Sequence, residues 1–228
     1  MNYSIVGSSL VFLLLAACQN IPQIQTGENA EVIQGNLVRV DHSRAKLAYI
    51  DPSDDFNKYT AILLAPLGVD NVEIIQPTTS YRSLRTPNWE LTSADKLRLQ
   101  KDFHEAMAKQ LSLQDGYPLV NAAGDNVLLI AAKLTRIAPT ASKDNNRSRP
   151  AGRSKIVTEG AGKISVEVTF SDSETGEVLA LAKDTRSGSS LWGLNNSITN
   201  EAQVRRVFTS WAMQIRAQLD SVHKKITD

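Results

Sequence analysis

The sequence predicts an α+β fold: a two-layer sandwich in which a mainly antiparallel sheet of about four to five strands carries two amphipathic helices on one face. Three observations predict it. Two stretches, opening at Thr92 and near Thr199, repeat apolar residues at three-to-four spacing, the signature of a helix with one buried face. Gly162 to Phe170 alternates strictly, with Ile164, Val166, Val168 and Phe170 on one side and Lys163, Ser165, Glu167 and Thr169 on the other. Tyr59 to Leu67 and Val127 to Ile137 are continuous apolar runs of strand length. Stripes and strands of this kind bury their apolar sides against each other in layers.

Near its start the chain has an uncharged apolar run, Ile5 to Ala17, which the only cysteine closes in Leu15-Ala16-Ala17-Cys18. The run is shorter than the roughly 20 residues needed to span a bilayer, and small residues before the expected cut suit a signal peptidase. The spacing resembles a bacterial lipobox. That resemblance implies a signal peptide over 1–17, cleavage between Ala17 and Cys18, and a lipid such as palmitate on Cys18. Residues 18–35 are polar, with Pro22 and Gly27, and read as a flexible tether. Residues 36–228 read as one domain, with Leu37, Val38, Val40, Leu47, Tyr49 and Ile50 lying against its body.

Pro66 marks the end of the first strand, because proline cannot donate to a ladder. Thr92 caps the first helix, Asp95 suits its positive end, and Leu99, Phe103, Ala106, Met107 and Leu111 form its apolar face before Asp115-Gly116 stops it. Asp172 to Glu177 is a hairpin turn, with Gly176 free to take positive φ, and Val178 to Lys183 returns as a strand. Thr199 or Asn200 caps the last helix, whose stripe is Val204, Val207, Phe208, Trp211, Ile215, Leu219 and Val222. The polar side of the alternating strand leaves the far face of the sheet at least partly wet.

Composition bounds the function. With 42% hydrophobic and 21% charged residues the chain is globular, and a net charge of +1 excludes a strongly basic nucleic-acid binder. A single cysteine allows no internal disulfide. His104-Glu105 begins a zinc-protease motif, but Ala108 stands where the second histidine belongs, and His42 and His223 read as solvated. Gly160-Ala161-Gly162-Lys163 ends like a phosphate loop, yet Val157 and Ile164 replace the glycine and the hydroxyl it needs. No Gly-x-Ser-x-Gly elbow exists. Acid pairs such as Asp54-Asp55 and Asp172-Glu174 sit in polar turns, where capping accounts for them. No catalytic residue, metal or cofactor is expected; a hydrolase whose acids meet in space is the remotest reading.

Two features suit binding. A polar loop at about 139–161 holds Lys143, Arg147, Arg149, Arg153 and Lys155 against one acid, Asp144; it reads as a solvated loop or as an anion-binding arm. No aromatic residue interleaves these charges to stack bases, so no nucleic acid is expected. Leu191-Trp192-Gly193-Leu194, with Tyr81 and Trp89 in an earlier loop, supplies tryptophans that either fold back on the core or anchor a partner.

Asp51-Pro52 with Phe56 and Tyr59, Leu91-Thr92-x-Ala94-Asp95, Thr175-Gly176-Glu177 and Trp211-Ala212 follow one another in an order that resembles domain-of-unknown-function family 3313, a group of bacterial lipoproteins, over roughly Ala48 to Leu219. The resemblance implies a lipid-anchored envelope protein and supplies no activity. Gln19 after the lipobox cysteine, by resemblance to Gram-negative lipoproteins, implies the outer membrane, with the domain on its periplasmic face. The leading expectation is a non-enzymatic adaptor held to the membrane by Cys18 that binds another envelope protein. The alternative is a module for anionic lipid or lipopolysaccharide that uses 143–155.

Overall fold

The computed structural model describes residues 21–77, 88–140, 157–159, 162–188, 192–194 and 197–223. Four short strands come first: β1 (Gln23–Ile24), β2 (Val32–Ile33), β3 (Leu37–Asp41) and β4 (Leu47–Ile50). A single 3-10 turn, Phe56–Lys58, is capped by Asp55 and leads to β5 (Ala61–Leu64) and β6 (Glu73–Ile74). Then follow α1 (Ser93–Leu111), β7 (Leu119–Val120), β8 (Val127–Pro139), β9 (Val157–Glu159), β10 (Gly162–Asp172), β11 (Val178–Ser187), β12 (Trp192–Leu194) and α2 (Ser197–Val222).

The architecture is α+β, but the sheet corrects the expectation of four to five strands. Ten strands form one mixed sheet along the path β1-β3-β4-β11-β10-β8-β5-β7, with β2 added on β3 and β6 on β8. The arm from β1 to β8 is antiparallel, whereas β5 pairs in parallel with β7 and β8, and β6 in parallel with β8. The parallel arm arises because α1 carries the chain from β5 back to the same end of the sheet, as parallel pairing requires. The extra strands span only two to five residues, too few to show an alternating pattern. Two of them, β1 and β2, lie in the segment 18–35 expected as a free tether; from Gln23 onward that segment joins the sheet.

Both helices cover one face. Phe103, Met107 and Leu111 of α1 and Val207, Phe208, Trp211, Ile215 and Leu219 of α2 are buried in one cluster with Ile130, Leu134, Val166 and Val168 of the central strands. The Phe103 and Phe208 rings meet edge to face at 5.5 Å between centroids, fixing helix against helix. Thr92 caps α1 in a reciprocal box: its Oγ1 accepts from the Asp95 N–H, and Asp95 Oδ2 accepts from the Thr92 N–H, each at 3.1 Å. Buried Asp102 meets Arg205 across the two helices at 3.0 Å. α2 opens at Ser197, ahead of the expected cap, and its last stripe residue, Val222, is 37% exposed.

Around β10 the opposite face is polar, as its alternation predicts, whereas toward β3, β4 and β11 it holds a second, smaller buried cluster of Leu37, Tyr49 and Leu181. Glu167 is flanked across both neighbouring strands by Lys133 at 2.7 Å and Lys183 at 2.9 Å. Burial pushes its carboxyl up, and the two lysines more than offset this, so it lies below the usual carboxylate range.

Candidate functional site

An apolar groove lies where small residues interrupt the packing of α2 on the sheet. Under the centre of the helix layer the helix-facing positions are mostly large, Ile130, Leu134, Val166 and Val168, with Ala132 the small one among them. Toward the β4 edge they become small. Val168 pairs with Ala182, and Ala182 pairs with Ala48, so side-chain volume falls across three adjacent strands. Space that valine and leucine fill elsewhere is left open here, giving a cavity of about 300 Å³.

Four elements wall this groove. Ile215 and Leu219 of α2 face Ala48 and Ala182, and Pro22 and Ile24 form the side nearest the start of the described chain. Phe56 and Phe170 extend the apolar lining. Ile24 and Val222, also in the lining, are 41% and 37% exposed, so the groove opens to solvent along an apolar lip. Arg44, in the turn between β3 and β4, is the one charged residue that lines it among the described residues. An apolar slot with a single cation at its rim suits a hydrocarbon chain with an anionic end.

A second cavity, of about 440 Å³, is polar and lined by Arg39, Lys46, Arg136, Lys183 and Glu73. Most of its positive charge is already matched: Arg39 pairs with Glu31 at 2.9 Å, Arg136 with Glu73 at 2.7 Å and Lys183 with Glu167 at 2.9 Å. An anion entering here meets compensated charges, so the apolar groove is the stronger candidate.

The histidines hold no site. His104 is exposed on α1 and His42 exposed in the β3–β4 turn. His223 corrects the expectation of a solvated ring: its Nε2 lies 2.8 Å from the Tyr59 carbonyl and its Nδ1 2.8 Å from the Leu219 carbonyl, with the ring edge-on to Tyr117. It fastens the end of α2 to the start of β5. Burial, with Asp220 nearby, pushes the Tyr117 hydroxyl up to about 12. Among the described residues no group of three or more histidine, cysteine, aspartate or glutamate side chains is arranged to hold a metal.

The acids near the β10–β11 hairpin serve the turns. Asp172 Oδ1 accepts from the Glu174 and Thr175 N–H groups at 3.0 Å each, and its Oδ2 from the Tyr59 hydroxyl at 2.9 Å. The Thr175 N–H is the main reason that its carboxyl lies below the usual range. Asp54 is the converse case. Its Oδ2 is buried without a hydrogen-bond partner, and burial, followed by the charge of Asp51, pushes its carboxyl up.

Of the residues marked in the sequence, Ala17, Cys18, Tyr81, Lys143, Arg147, Arg149, Arg153, Lys155 and Leu191 lie outside the described residues. Trp89 is half-buried, and Gln76 holds its backbone on both sides, at 2.8 Å and 2.9 Å. Trp192–Leu194 forms β12, which pairs with β9 in a ribbon apart from the main sheet, with Trp192 opposite Glu159 and Leu194 opposite Val157. That pairing sets the tryptophan segment beside the strand that follows the basic stretch. Sequence reasoning missed the groove; the available signal was Ala180-x-Ala182 and Ala48, small residues at apolar-face positions.

The chain belongs to the family described as Protein of unknown function (DUF3313), whose model matches residues 36–215. No protein with a curated description matches it. Among solved structures it is similar to protein XCC0632 from Xanthomonas campestris, at 10% identity and a TM-score of 0.40 over 77% of this chain and 92% of that one. It is also similar to a Helicobacter pylori chain described as a homologue of the neuraminyllactose-binding haemagglutinin, at 9% identity and a TM-score of 0.39, over 75% and 88% of the two chains. A third, from Caulobacter crescentus and provisionally described as a lipoprotein, shares 10% identity at a TM-score of 0.31 over 68% and 91%. Likeness at these scores carries no argument about function.

Proposed function

We propose that this member of the family is a lipid-anchored, non-enzymatic binding domain of the bacterial envelope, and that its groove receives the hydrocarbon chain of an envelope lipid. The lipobox-like Leu15-Ala16-Ala17-Cys18 motivates the anchor, with Cys18 carrying the lipid and the domain facing the periplasm from the outer membrane. Among the described residues no helix is long and apolar enough to cross a membrane. The observation that carries the binding reading is the alanine floor, Ala48 beside Ala182, which leaves an apolar slot open under α2. Arg44 at the rim gives an anionic head a partner.

The test is uptake of cis-parinaric acid, a fluorescent fatty acid, by the mature chain made without lipid. One equivalent binds saturably, and Ala182→Phe and Ala48→Phe, which fill the slot, each weaken uptake at least tenfold while the folded spectrum is kept. Uptake that ignores both substitutions, or no uptake at all, contradicts the reading.

A second reading follows from the β9–β12 ribbon. It carries Trp192 and Leu194 on a short pair of strands separate from the main sheet, a placement that suits contact with another envelope protein. In-cell crosslinking that recovers one dominant envelope protein, lost in Trp192→Ala, supports this adaptor role. Recovery that is unchanged in Trp192→Ala removes it.

A further inference from the structure

The groove's nearest hydrocarbon is on the same molecule. Pro22 and Ile24 form one of its walls, and Cys18 lies four residues before Pro22. Four residues span at most about 14 Å when extended. A lipid attached at Cys18 is therefore tethered within about 14 Å of the groove's wall, at an effective concentration on the order of millimolar. The groove, at about 300 Å³, is of a size that accepts part of one hydrocarbon chain.

We infer that the groove is a self-docking site: away from a bilayer, one acyl chain carried by Cys18 lies in the slot between α2 and the β1–β3–β4 edge, and it leaves when the anchor enters a membrane. The inference rests on the lipid-anchor reading above. It gives the anchor a second role. In the aqueous space between membranes, an exposed acyl chain drives self-association; the slot covers part of it. At the membrane the acyl chain exchanges the slot for the bilayer, and the slot becomes free for another lipid. Anchoring thus opens the site, so that an off-membrane molecule does not take up lipid. The exposed lip at Ile24 and Val222 is the entrance that this exchange uses.

The chain's single cysteine makes the test specific. The mature chain, beginning at Cys18, is alkylated with N-hexadecylmaleimide and compared with the unmodified chain for uptake of cis-parinaric acid in buffer without detergent. The unmodified chain binds the probe, and the alkylated chain binds it at least tenfold more weakly and stays monomeric in light scattering. Ala182→Phe supplies the second arm: unmodified it is monomeric, and alkylated it self-associates because its slot is filled. Equal probe uptake by the alkylated and unmodified chains overturns self-docking while leaving groove binding intact. No uptake by the unmodified chain overturns both. A mass of the protein recovered from cells that shows Cys18 without lipid overturns the anchor, and with it this occupant, whatever the probe does.

Discussion

The indole N–H of Trp211 donates to Asp184 Oδ2 at 2.8 Å, joining α2 to β11 at a point where the helix-facing side of that strand turns from alanine to charge. The same oxygen accepts from Arg186 Nε at 2.8 Å, and Arg186 reaches on to Ser210 and Gln214 of α2. This network clamps α2 beside the groove and fixes how far the helix stands from the alanine floor.

Removing the clamp separates its apolar and polar parts. Trp211 is 4% exposed. Trp211→Ala should cost about 3–5 kcal/mol, as for other large-to-small core changes. Trp211→Phe keeps most of the buried area but removes a donor from Asp184, and should cost about 1–3 kcal/mol. Urea unfolding measures both. Equal losses in the two variants would mean that the hydrogen bond, rather than packing, dominates the site.

Gly162 opens β10 at φ +125, and a Cβ there would stand 2.2 Å from the Ala138 carbonyl oxygen of β8. Gly162→Ala combines backbone strain with a clash against a neighbouring strand, and should destabilise by about 1–3 kcal/mol. A melting temperature within a degree of wild type would show that the two strands part easily here.

Two nearby carboxyls should respond to pH with opposite signs. Asp172, lowered by the Thr175 N–H, adds stability that is present above the unfolded value of about 4 and is lost as pH falls through its lower folded value. Asp54, raised by burial and by Asp51, favours the folded state only when protonated, a contribution present below about pH 4 and lost as pH rises through its raised value. Asp172→Asn should therefore destabilise at pH 7. Asp54→Asn should stabilise there, shifting the melting temperature up by a few degrees if the stranded oxygen costs about 1 kcal/mol. Its advantage should vanish near pH 3. Thermal melts at pH 7 and pH 3 measure all four differences, and a lower melting temperature for Asp54→Asn at pH 7 would contradict the assignment.

The anchor has its own test. Cys18→Ser should leave an uncleaved or misplaced precursor without lipid, read as intact mass and as the fraction recovered with membranes. Normal processing and unchanged fractionation of that variant would remove the lipobox reading.

Elements long enough to show their period were legible in the sequence. The Thr92–Asp95 cap, the faces of both helices and the strands around Val127, Gly162 and Val178 stand where periodicity put them. The Glu167 side of β10 is polar because alternation requires it. What sequence could not show is what depends on pairing. Gln23–Ile24 and Val32–Ile33 are strands only because β3 lies beside them, so a polar segment that reads as a tether becomes sheet. The parallel arm is equally silent, since β6 and β7 span two residues each. The groove was hidden for a related reason. Ala48 and Ala182 are 134 residues apart and unremarkable alone, and their volume deficit matters only once the register makes them neighbours. His223 was misread because its partners, the Tyr59 carbonyl and Tyr117, are distant in sequence.

The most direct measurement of the central claim locates the ligand. Methyl NMR of the unlipidated mature chain titrated with spin-labelled stearate should broaden the methyl signals of Ala48, Ala182, Ile215 and Leu219, and leave Leu129 and Ala131 on another part of the sheet sharp. That result places an acyl chain in the slot under α2. Broadening centred elsewhere, or uniform weak broadening with no saturation, would contradict the groove as the binding site.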